Sequence, residues 1–120
     1  MLRYDGPANV IVRVSTEPVE VADLTFPAGR RFYLAMSAAN RDPEVFDHPD
    51  TFDITRKPNR HLAFSLGSFY CLGAALARMT AVECFTVLLG RFPDIRPSGV
   101  PTRVPVPPLG RHMNSMHVTF

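Results

Sequence analysis

Twelve of the 120 residues are proline. Each proline locks one backbone dihedral and removes one amide donor, so this chain turns often and its regular elements are short. The long exception covers residues 72–89. Leu72, Ala75, Leu76, Met79, Val82 and Leu89 recur there at three- and four-residue spacings, the period of one helical face. Gly90 supplies a stop signal, and Pro93 lies just beyond it.

Ahead of that helix the pattern is β. Residues 9–14 hold four β-branched side chains in six positions, and Arg13 is the only charge among them, so it faces a site or solvent. Residues 19–21 alternate like a strand, with 24–26 as the partner. Pro27, Ala28 and Gly29 form a turn in which glycine takes a positive φ. A further strand spans 31–36, and a β-meander is the expected arrangement of the first third. Ser37 caps a short helical turn reaching Asn40. Asp42, Pro43 and Glu44 give a helix start that Pro49 soon ends. From 92 to 110 the chain is proline-rich and extended, and 116–120 form a closing strand.

Composition limits the function classes. Hydrophobic residues make up 46%, enough for a core, and 13 basic against 11 acidic residues leave a net charge of +2, too little for a nucleic-acid partner. No apolar run is long enough for a membrane span and no secretory signal opens the chain. Cys71 and Cys84 make no disulfide framework, and the expected location is the cytoplasm.

Cys71 lies between Gly67 and Gly73 at the mouth of the long helix. A thiol there sits at the positive end of aligned peptide dipoles, which favours the metal-binding or nucleophilic form. The glycines remove bulk on both sides, so amides or a flat cofactor approach the sulfur closely. Several readings stand open. Cys71 is a small packed hydrophobe. It is a nucleophile, with His61 the nearest histidine but no readable pairing. A zinc site would need further ligands at two-to-four spacing, and none is present. The last reading is a single axial thiolate on haem iron, which asks for one cysteine in apolar surroundings. Cys84 reads as packing, and His48, His61, His112 and His117 show no ligand spacing.

Phe64, Gly67, Cys71 and Gly73, followed by Leu76, Ala77 and Arg78, resemble the haem-ligand signature of the cytochrome P-450 family. Other segments resemble bacterial members in the same order: 3–7, 26–29, 39–43, Phe52 and Asp53 with Arg56, and 91–94. The resemblance implies a mixed α+β chain, the C-terminal part of the mainly helical cytochrome P-450 fold, in one partial domain over 1–120. Its parts are a β-rich and meander region at 1–58, the ligand loop at 59–73, the proximal helix at 72–90 and an extended segment with a closing β-hairpin at 91–120.

It also implies roles. The cofactor is haem b (iron protoporphyrin IX), with Cys71 as the iron ligand. Phe64 packs beside the loop and modulates the thiolate. Gly67, Leu72, Gly73 and Ala77 line the proximal face. Arg13 pairs with a propionate, with residues 10–12 near a substrate pocket. Arg3 and Arg56 belong to a buried Glu-Arg-Arg network. Residues 113–116 match a second turn lining the pocket. Arg78 and the basic groups near Arg60 face an electron donor, a ferredoxin-like or flavin reductase. Without the resemblance, Arg13, Arg56 and Arg78 read as solvated charges, and Phe64 and Phe69 as core.

The chain departs from the family pattern at Ser65, where glycine is usual, and at Phe69, where histidine or arginine meets a propionate. Losing that cation removes a contact of about 1.5–3 kcal/mol. The glutamate of the Glu-x-x-Arg motif would precede Met1, and the distal helix is missing. Two functional expectations follow. One is a haem-thiolate monooxygenase that inserts one oxygen atom of dioxygen into a small organic substrate. The other is a truncated, non-catalytic fragment that binds haem weakly or serves only as a structural piece. The helix over 72–89 would then expose apolar surface and drive self-association.

Overall fold

In the computed structural model, which describes residues 1–106 and 110–120, proline dictates where strand pairing stops. Strand β1 (Val10–Val14) pairs antiparallel with β4 (Arg31–Ala35), Val10 opposite Ala35 and Val14 opposite Arg31. Ser15 prolongs this ribbon: its amide donates to Arg30 O at 3.0 Å, and its carbonyl accepts from the Gly29 amide at 2.7 Å. Pro18 and Pro27 then deny further donors. The intervening segment folds on itself as β2 (Val19–Val21) against β3 (Leu24–Phe26). The first third is therefore not the expected meander. A short hairpin is inserted between the two strands of a longer ribbon, because β1 finds β4 rather than its neighbour in sequence. Gly29, at φ +79°, occupies the left-handed conformation that the turn requires.

Three local expectations are corrected. Met36 leaves the strand and opens α1 (Met36–Ala39), so Ser37 lies inside that helix rather than capping it; its hydroxyl donates to Asn9 O at 3.5 Å. Asp42 caps only a single turn. Its side chain accepts the Glu44 amide at 2.9 Å and its carbonyl the Phe46 amide at 2.9 Å, and no helix follows. The long helix α2 runs over Ala74–Arg91, starting two residues late and passing through Gly90. Glycine lowers helix stability by about 1 kcal/mol but does not stop a helix whose next residue still bonds inward. Phe92, not Gly90, is the C-cap, its amide donating to Leu88 O at 2.8 Å.

Beyond α2, β5 (Arg96–Pro97) pairs antiparallel with β8 (Val118–Thr119), the expected closing strand. Phe92 and Phe120 stack at 4.5 Å beside it. Strand β6 (Thr102–Val106) pairs with β7 (Gly110–Ser115), and the Thr102 and Ser115 hydroxyls join at 2.8 Å. Met113 to Ser115 thus continue a strand rather than forming the expected turn. The part of the extended segment over 107–109 lies outside the described residues.

The described residues form two compact units, one over Met1–Ala63 with Gly110 and the other over 64–106 and 111–120. The first is organised around a charge. Arg3 and Asn40 are buried together with Met36 and Phe46. In the second, Phe64 and Ala74 are buried, whereas Leu76, Met79, Val82 and Val87 on α2 are each at least 60% exposed. Apolar residues occupy all sides of α2 rather than one stripe, the pattern of a helix meant for full burial.

Candidate functional site

The loop carrying Cys71 is shaped by two left-handed residues. Ser65 takes φ +64° and Gly67 φ +62°, with the extended Leu66 between them. These two reversals, followed by a 3-10 turn over Gly67–Phe69, bring the chain back on itself. The Cys71 amide then donates to Phe64 O at 2.8 Å and closes the loop. Cys71 O in turn accepts from the Ala74 amide at 3.1 Å, which ties the loop to the first turn of α2. Gly73 is the N-cap of α2 and offers no side chain. Its carbonyl accepts the Ala77 amide at 2.8 Å.

The apolar residues of the loop lie open to solvent beside the thiol in sequence. Cys71 is exposed, and so are Leu66, Phe69 and Leu72. A Cβ built on Gly67 would meet nothing within 4 Å, so the left-handed backbone alone demands glycine there. At Gly73 the backbone is ordinary, and an added Cβ would meet only the Cys71 sulfur, at 4.0 Å. Among the described residues nothing excludes a side chain at 73; a flat body resting against the sulfur would. The exposed Leu66, Phe69 and Leu72, an exposed thiol and an open surface over Gly73 together fit a planar group ligated through its metal; Cys84 on α2, expected to pack, is exposed as well. Among the described residues, no cluster of three or more His, Cys, Asp and Glu is placed to hold a metal ion.

Phe64 is buried behind the loop. Its ring meets Tyr70 edge-on at 6.3 Å between centroids, and the Arg78 guanidinium lies 4.6 Å over its face. Arg78 also donates to the Tyr70 hydroxyl at 2.9 Å. The motif pattern marks Phe64 and Arg78 but not Tyr70; the seven-residue spacing from Cys71 to Arg78, two helical turns, was the available signal.

In the first unit, Arg13 lies on β1 opposite Phe32, partly buried, and donates to Val12 O at 2.9 Å. Arg3 donates to the carbonyls of Asn40 at 2.8 Å, Pro49 at 3.0 Å and Thr51 at 3.4 Å, and its guanidinium lies 5.0 Å from the Phe46 ring centre. Burial lowers the Arg3 pKa, and the nearby charges of Arg56 and Arg41 lower it further, with Asp50 opposing. Arg41 is raised, first by its hydrogen bond to Asp50 at 2.6 Å. Arg56 donates to Asp47 O at 2.7 Å and His48 O at 3.2 Å, while its Nε is buried without a partner. Asn40 was given no role in the sequence reading. Its carboxamide accepts the Leu62 amide at 2.7 Å and its carbonyl accepts Arg3, so it ties the segment around Arg3 to that around Leu62 within the first unit.

The family model for cytochrome P450 matches residues 1–111, and the chain belongs to that family. It is 45% identical over 94 residues to the biotin biosynthesis cytochrome P450 of Bacillus subtilis (strain 168), covering 78% of this chain and 24% of that protein. It is 38% identical over 105 residues to the steroid C26-monooxygenase of Mycolicibacterium smegmatis, covering 87% of this chain and 25% of that protein. Among solved structures, P450BioI in complex with an acyl carrier protein ligated to hexadec-9Z-enoic acid superposes with a TM-score of 0.93 at 39% identity, over 99% of this chain and 31% of that one. The tirandamycin C-bound monooxygenase TamI superposes with a TM-score of 0.89 at 40% identity, over 98% of this chain and 30% of that one. The chain thus spans about a quarter of the length of the curated relatives it matches. No helix among the described residues is long and apolar enough to cross a membrane.

Proposed function

We propose that this chain carries the thiolate-bearing face of a haem b monooxygenase, with Cys71 as the single protein ligand to iron. The observation that carries this reading is the exposed thiol on a loop closed by the Cys71 amide on Phe64 O at 2.8 Å, beside a Gly73 that the chain itself does not require. When bound, iron protoporphyrin IX supplies dioxygen activation, and an axial thiolate favours O–O cleavage by donating electron density. The chain's residues do the holding. Gly67, Gly73 and Ala77 leave room for a flat ring, Leu72 lines its proximal face, Phe64 packs beside the loop and modulates the thiolate, and Arg13 is the cation for a propionate. Arg3 and Arg56 belong to a Glu-Arg-Arg network, and Arg56 Nε is buried with no hydrogen-bond partner among the described residues.

In the parent reaction a small organic substrate, one dioxygen, two electrons and two protons give the hydroxylated product and water. The electrons come from a ferredoxin-like or flavin reductase, in the cytoplasm. The substrate-pocket residues would be those near 10–12 and 113–116. The division into a β-rich region at 1–58, a ligand loop at 59–73, a proximal helix at 72–90 and a closing segment at 91–120 belongs to the same reading. A second reading concerns this polypeptide by itself. The exposed apolar residues on every side of α2 favour a chain that holds haem without turning over. The full chain, reconstituted with haem, reduced and treated with carbon monoxide, should show the red-shifted Soret band of thiolate ligation. Cys71→Ser should lose it. A band unchanged by that substitution rejects Cys71 as the ligand, and sustained substrate-dependent oxidation by the chain rejects the second reading.

A further inference from the structure

We infer that Arg78 is a positioning residue for Cys71, acting through Phe64 and Tyr70 from the second turn of α2. Three observations meet at this point. The Arg78 guanidinium lies 4.6 Å over the buried Phe64 ring, and it also donates to the Tyr70 hydroxyl at 2.9 Å. Phe64 and Tyr70 bracket the loop, meeting edge-on at 6.3 Å. The hydrogen bond closing the loop joins Phe64 to the residue after Tyr70, the Cys71 amide donating to Phe64 O at 2.8 Å. One planar cation therefore contacts both ends of the segment whose next residue is Cys71.

Arginine suits this task. Its flat face stacks on an aromatic ring while its fork keeps N–H groups in plane for a hydroxyl, and a lysine reproduces only the charge. Tyr70 leads directly into Cys71, and Phe64 supplies the carbonyl that accepts the Cys71 amide. A guanidinium fastened to both holds the loop from the side, where no backbone hydrogen bond reaches. A positive charge held beside the loop also favours the more negative, reduced state of a bound metal. The side chain is committed to the loop, which sets this role apart from docking an electron donor.

The inference rests on haem-thiolate ligation for one of its two readouts only. In the haem-free full chain, Arg78→Gln should accelerate hydrogen exchange of the Cys71 amide by roughly tenfold, the combined effect of one cation–π contact and one hydrogen bond. The Phe92 amide at the far end of α2 should exchange unchanged. In a Phe64→Leu background the same substitution should give less than half that effect on a logarithmic scale, because the ring through which Arg78 acts is gone. In the haem-loaded chain, dye-equilibrated titration without a protein partner should show a lower reduction potential for Arg78→Gln, and Arg78→Lys should recover part of it. Unchanged Cys71 exchange in Arg78→Gln, or an equal acceleration with and without Phe64, overturns the inference. So does an unchanged potential in a chain that shows the thiolate spectrum. Absence of that spectrum in the parent chain defeats the haem reading alone, while the exchange data still judge Arg78.

Discussion

Replacing Ser65 by glycine should stabilise the Cys71 loop, and the size of the effect follows from the backbone. Ser65 sits at φ +64°, where an L side chain crowds its own carbonyl at a cost of about 1–2 kcal/mol. Glycine removes that cost but gives the unfolded chain more freedom, worth about 0.4–1 kcal/mol in the opposite sense. The net gain is about 0.8 kcal/mol, or roughly 3–4 °C in Tm for a chain of this size. Gly67 provides the mirror experiment. It lies at φ +62° with nothing within 4 Å of an added Cβ, so Gly67→Ala meets no steric neighbour and reports the backbone term alone. It should lose about as much as Ser65→Gly gains. Urea unfolding followed by far-UV circular dichroism measures both, provided the slope is common to all variants. If Ser65→Gly lowers the midpoint while Gly67→Ala leaves it in place, the loop is not held by two left-handed residues, and the account of how Cys71 is presented is wrong.

Three further outcomes are expected. Arg3→Met should cost about 2–4 kcal/mol in urea unfolding, because it strands the carbonyls of Asn40, Pro49 and Thr51 around a buried site; a change within about 0.5 kcal/mol would contradict it. Asp53 accepts hydrogen bonds from the Thr55 hydroxyl at 2.7 Å and amide at 2.8 Å, which lower its pKa. Its contribution to stability is therefore present above the ordinary carboxylate value and lost as pH falls through the lowered one. A carboxyl NMR titration should place its midpoint below that of a free aspartate, and Thr55→Val should move it upward. Phe69→His, returning a cation to the exposed position 69, should slow haem transfer to an apo-globin acceptor by roughly ten- to a hundredfold, the equivalent of one charge-assisted hydrogen bond; an unchanged rate removes position 69 from any propionate contact.

Much of the local structure was legible because local chemistry decides it. The β-branched run at 10–14, the alternation at 19–21 and the Pro27–Gly29 turn report their own conformations, and the hairpin of β2 with β3 follows from their proximity. The helical start given by Asp42 failed because a cap supplies about 1 kcal/mol and cannot carry a helix past the next proline without an apolar face to bury. Gly90 misled for the converse reason: a weak stop yields when the turn beyond it still bonds, as Phe92 does to Leu88 O. At the candidate site, the residues alone marked Gly67, Cys71 and Gly73, and only the family resemblance added Phe64 and Arg78. Neither gave a role to Tyr70 or Asn40, whose importance lies in the partners that folding delivers.

The amino-acid order by itself determined the strands of the first third, the long helix, the turn at Gly29 and the presentation of one cysteine at the head of that helix, since each depends on residues only a few positions apart. Tertiary structure alone decided that β1 pairs with β4 across an inserted hairpin, that Arg3 is buried among carbonyls 37 to 48 positions away, and that Arg78 lies over Phe64 rather than in solvent. Those outcomes turn on which distant groups meet and how much water they shed, and a residue's own neighbours in sequence carry no record of either.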